Sequence, residues 1–74
     1  MVIRWINEEK RRYYTAGIVQ DLFNVPCVVT AWGGIGNRRG GTKSKAFLSH
    51  NDAEHALATL ARRRARRGYV VTPA

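Results

Sequence analysis

The side chains of this 74-residue sequence best suited to move a proton, attack a carbonyl or hold a metal are five carboxylates, two histidines and one cysteine. Glu8 and Glu9 lie in a polar stretch beside Lys10, Arg11 and Arg12, and Asp21 has the type and setting of a turn residue. Asp52 and Glu54 fall in the first turn of an expected helix, where negative charge complements the dipole. No two of these acids are spaced as a general acid–base pair. His50 and His55 are five positions apart, about 140° around a helix, so they share no face on which a metal could be shared. Serines and threonines occur without a base to activate them. Cys27 sits in an apolar run, where a buried, inert thiol is expected. The sequence therefore reads as a non-enzyme, with no catalytic residue, no metal and no cofactor.

Binding chemistry is better represented. Thirteen Lys and Arg against five Asp and Glu give a net charge of +8 and a pI near 10.9. That imbalance makes nucleic acid the first partner to consider and an acidic membrane surface the second. The segment "GGIGNRRGG", residues 33–41, contains G-x-x-G. No helix is expected after it and no Gly-Lys-Ser/Thr closes it, so the dinucleotide and P-loop readings fail. A glycine turn with outward N–H groups, flanked by Arg38 and Arg39, could still cradle a phosphate as a nest. Lys43 and Lys45 share a strand face just beyond it and form a candidate backbone-contacting pair. Further cations cluster at 10–12 and in "RRRARR", residues 62–67. A run of arginines also suits the carboxyl end of a helix for dipole reasons alone.

Alternation, periodicity and turn residues place these groups. "VIRW" reads as a short first strand, "RRYYTAGIVQDLF" as a second with Tyr14, Ala16 and Ile18 on its core-like face, and "VPCVVTAW" as a third. "GGIGNRRGGT" reads as a turn and "TKSKAFL" as a fourth strand. Within the third strand, Val28, Thr30 and Trp32 share one face, and Cys27, Val29 and Ala31 the other. The second set is smaller and more uniform, and we take it as the buried one, which turns Trp32 outward. Ser49 with Asp52 forms a cap-like pair. Ala53, Ala56, Leu57 and Leu60 make a helical stripe, and Gly68 is placed for a left-handed stop. "YVVT" could then add to a sheet edge. The expected fold is α+β: one domain over residues 1–74, with a four- to five-stranded antiparallel sheet and one α-helix packed across one face. A chain this short has a thin core, and no enzyme-sized cleft is expected. The amino-terminal "MVIRWINEEKRR" is neither a signal peptide nor a membrane span, and we expect a cytoplasmic location.

Taken together, "RYYTAGIVQDLF", "VVTAWGGIG", "GGTKSKAFLSHNDAEHA" and "RRRARRGY" resemble, in order and spacing, successive segments of the WGR domain, a family named for a Trp-Gly-Arg motif. It occurs in DNA-damage-activated poly(ADP-ribose) polymerases and in small stand-alone bacterial proteins. The resemblance spans nearly the whole chain and implies a sheet crossed by a helix. In the polymerases it implies binding to DNA at a strand break, with the motif tryptophan against a terminal nucleotide and basic neighbours on the backbone. Carried over, it makes Trp32 the stacking residue, Gly33 the residue that gives it room, and Tyr69 a neighbour of the same site. The third motif position is Gly34 here rather than arginine, which removes support for any role in sensing breaks or activating an enzyme.

The sequence thus predicts a nucleic-acid-binding module, first for DNA ends, nicks or exposed bases, with RNA and a protein partner as alternatives. The expected contacts are Trp32, Gly33, Arg38, Arg39, Lys43, Lys45, Arg11, Arg12, Arg63, Arg67 and Tyr69. The alternative is a protein–protein interaction domain using the Trp32 and glycine-loop surface. A monomer or weak dimer is expected.

Overall fold

The computed structural model describes residues 2–36 and 40–72. Its elements are β1 (Val2–Asn7), β2 (Arg12–Gln20), β3 (Pro26–Gly34), β4 (Gly40–Ala46), α1 (His50–Arg66) and β5 (Val70–Val71). They form one antiparallel sheet in the order β4-β3-β2-β1-β5 with a single helix, the α+β architecture expected from the sequence. The first four strands follow one another as a meander. The helix then carries the chain from the β4 edge back to the β1 edge, where β5 pairs with Trp5 and Ile6.

Local chemistry explains the boundaries. Asp21 closes the β2–β3 turn, its Oδ1 accepting from the amides of Phe23 (2.8 Å) and Val25 (2.9 Å), with Asn24 in the left-handed region beside it. Ser49 caps α1 by accepting from the Asp52 amide at 3.1 Å. At the other end Gly68 takes φ +84°. Its amide donates to the Ala65 carbonyl and that of Tyr69 to Arg64, the paired bonds of a Schellman motif.

Strand register puts Ile3, Trp5, Tyr14, Ala16, Ile18, Val28, Thr30 and Trp32 on one face of the sheet. Helix residues Ala53, Leu57, Leu60 and Ala61 pack onto the core of that face. Trp5 lies at its centre, 1% exposed, with its ring 6.0 Å from that of Tyr14. The face expectation for β3 is reversed. Val28 and Thr30 are buried (each 7% exposed), whereas Val29 is 38% exposed. The small residues Cys27, Val29 and Ala31 belong to the face that no helix covers, so their size marks a thin outer surface rather than a tight interior. Two glycine pairs are also strand rather than turn: Gly33 and Gly34 end β3, and Gly40 and Gly41 begin β4.

Adjacent valines on opposite faces provide a direct test. Val28→Ala should lower unfolding free energy by about 1.5–3 kcal/mol, from lost burial. Val29→Ala should cost under about 1 kcal/mol, mostly strand preference. Urea denaturation of the two variants should preserve that order.

Candidate nucleic-acid interface

Three chain segments meet at one end of the sheet. The β1–β2 turn is held by Asn7, which is buried. Its Oδ1 accepts from the Lys10 amide (3.0 Å) and its Nδ2 donates to the Arg67 carbonyl (3.1 Å). One side chain therefore ties that turn to the carboxyl end of α1. Arg11, in the same turn, sits at φ 51°, a conformation uncommon for a long side chain, and its carbonyl accepts from the Ile35 amide at 2.8 Å. That bond joins the first turn to the connection after β3.

Between these segments lies an open groove of about 820 Å³. One bank carries Lys10, Arg11 and Arg12, the other carries Lys43 of β4, and the helix end contributes Arg64, Arg67 and Tyr69. Tyr13, Tyr14, Thr30, Trp32 and Gly33, Gly34 and Gly40 complete it. Six cations and no carboxylate line it among the described residues. The core is thin, and the β1–β2 turn and the helix end flank a part of the sheet that the helix does not cover.

Trp32 is 38% exposed although it projects from the same face as the core. Its indole stacks on Tyr14 (centroids 6.3 Å apart, planes 17° apart), and Tyr14 in turn meets Trp5. An outward Trp32 was expected from the wrong face assignment. It is accessible because it lies past the helix, not because it points away from it.

Arg64 organises the groove's inner wall. Its guanidinium carbon lies 4.5 Å from the Tyr14 ring centroid and 5.3 Å from that of Tyr69. Tyr69 is held there because its amide closes the helix cap on the Arg64 carbonyl. The Arg64 Nε is buried with no hydrogen-bond partner, so cation–π attraction from two rings is its compensation.

Of the residues expected from sequence, the groove unites Trp32, Gly33, Lys43, Arg11, Arg12, Arg67 and Tyr69. Arg38 and Arg39 lie outside the described residues. Lys45 does not line the groove: its Nζ lies over the Phe47 ring at 5.5 Å. Nor does Arg63, which lines a smaller depression of about 380 Å³ with His55 and Thr59. Lys45 lies two residues beyond Lys43 along β4, and Arg63 is the residue before Arg64 on α1.

Tyr14, Arg64 and Asn7 were not singled out as site residues. Arg64 carried a signal, since it continues the Ala53, Leu57, Leu60 stripe at helical spacing and a cation there must meet aromatics or remain unpaired. Asn7 carried none, because its partners are distant in sequence. Among the described residues no group of three His, Cys, Asp or Glu could hold a metal, and no helix is long and apolar enough to cross a membrane.

Arg64→Leu keeps most of the stem but removes the cation held between the rings. It should cost about 1 kcal/mol of stability, and Asn7→Ala about 1–3 kcal/mol by leaving the Arg67 carbonyl and the Lys10 amide without their partner. Thermal unfolding at fixed ionic strength checks both.

A family model described as the WGR domain matches residues 1–74, the whole chain. No curated protein and no solved structure gives a significant match. The family is associated with nucleic-acid binding.

Proposed function

The chain belongs to the WGR domain family, and on that premise we propose that it is a non-catalytic DNA-binding module for ends, nicks or exposed bases. The observation that carries this reading is the convergence of six cations on one groove around an accessible indole. Six like charges repel one another, and an arrangement of that kind is favourable when a polyanion lies between them. The cations address phosphates, which fixes position without reading sequence. Trp32 offers a π-face, which any base can meet once it is unpaired or terminal.

Register also suggests how the missing motif arginine is replaced. Gly34 stands directly opposite Arg12, on the face of the sheet that bears Tyr14 and Trp32. In this reading Arg12 supplies from β2 the charge that position 34 of β3 lacks.

Titration with blunt, nicked and single-stranded DNA at several salt concentrations tests the proposal. Affinity should fall steeply with salt, and neutralising Lys43 or Arg67 should reduce the slope by about one phosphate contact each. Trp32→Ala should weaken binding by about 1–3 kcal/mol, roughly 5- to 150-fold, while leaving the slope unchanged. Binding to none of these forms at low salt would sink the reading. A protein-interaction domain would instead lose its partner on Trp32→Ala with any DNA affinity unaltered.

A further inference from the structure

Four residues lie in one row across the sheet: Trp5 opposite Tyr14, Tyr14 opposite Trp32, and Trp32 opposite Gly41. The first three positions hold aromatic rings in sequence, and the fourth holds no side chain. One face of the Trp32 indole is stacked on Tyr14, so the other is turned towards β4 and Gly41. A Cβ at position 41 would lie 2.9 Å from Cζ2 of Trp32 and 3.2 Å from Cε2, closer than such atoms pack.

Backbone conformation does not demand glycine there, since the positive-φ glycines among the described residues are Gly36 and Gly68. Gly40 differs again. A Cβ on it would collide with the Trp32 carbonyl, a backbone atom that cannot swing aside. At position 41 the obstacle is the far end of a side chain. What glycine provides there is a seat for the indole.

We propose that Gly41 is a positioning residue of the binding site. By lacking a side chain it lets the Trp32 indole lie against β4, in the fourth place of the row. Resting on the nucleic-acid reading above, this makes the position of the indole, and with it the aromatic surface offered to a nucleotide, depend on residue 41. Lys43, the next residue of β4 on the same face, stands ready for the adjoining phosphate.

The test uses the full chain and short oligothymidine as probe. Gly41→Ala should fold normally, because alanine suits an exposed edge strand at this φ. Acrylamide quenching then reports Trp32 alone, as Trp5 is 1% exposed. Quenching should rise as the indole is pushed off the strand, and affinity for oligothymidine should fall about fivefold to tenfold with an unchanged salt slope. In a Trp32→Phe background, whose shorter ring does not reach position 41, Gly41→Ala should have no further effect. Unchanged quenching and affinity in Gly41→Ala would overturn the proposal, as would an equal loss in the Trp32→Phe background. Failure of the parent protein to bind oligothymidine at low salt would instead remove the single-stranded part of the nucleic-acid reading and with it the binding arm of this test. The quenching comparison would still decide whether Gly41 seats the indole.

Discussion

One helix cannot cover five strands. An α-helix with its side chains is about 10–12 Å across, whereas strands stand about 4.8 Å apart, so α1 covers little more than two of them. It packs on β2 and β3 but covers only part of their length, so Trp32 of β3 stays accessible beyond it. Along the row Trp5, Tyr14, Trp32 the aromatic face passes from fully buried through half-buried to exposed. Core and candidate site are thus one continuous layer, divided only by where the helix stops.

That boundary is held by few bonds. The Schellman cap at Gly68 brings Tyr69 onto Arg64, and Arg64 in turn lies over Tyr14. Such a motif usually has an apolar contact between the residues on either side of the cap. Here the stem and planar head of an arginine fill that place, so a device that ends a helix also fixes a cation. Asn7 does the corresponding work for the turn, joining Lys10 to Arg67 through one buried amide. The bank at Lys10 and the helix end with Arg64 and Arg67 are consequently set by the same interactions that close the fold.

Much of this was legible in the sequence. The helix, its serine cap and its glycine stop were readable because capping and periodicity are local properties, and the structure places them at Ser49 and Gly68. The strands were partly readable from turn residues, Asp21 among them. The buried face of β3 was not, because alternation says which residues share a face and not which face a helix covers. Val28 and Val29 look alike in sequence and differ only in that. The glycines of β3 and β4 were read as a turn since their local freedom is conspicuous. Their actual reasons, a neighbouring carbonyl for Gly40 and a neighbouring indole for Gly41, exist only once strands are in register. The site residues fared similarly. Lys43, Arg67 and Tyr69 join Trp32 in the groove, while Lys45 and Arg63, equally basic, lie beyond it.

The crowding of Lys10, Arg11, Arg12, Lys43, Arg64 and Arg67 around one opening has a thermodynamic consequence beyond affinity. Folding brings the turn, strand and helix-end clusters together, so the repulsion between these clusters is a cost added in the native state. Any anion that sits among them removes part of that cost and binds the folded chain in preference to the unfolded one. Folding and occupancy are therefore linked equilibria. This repulsion is greatest in dilute buffer, where an anion bound among the cations would offset it most. Added salt strengthens the empty fold by screening while it weakens the complex.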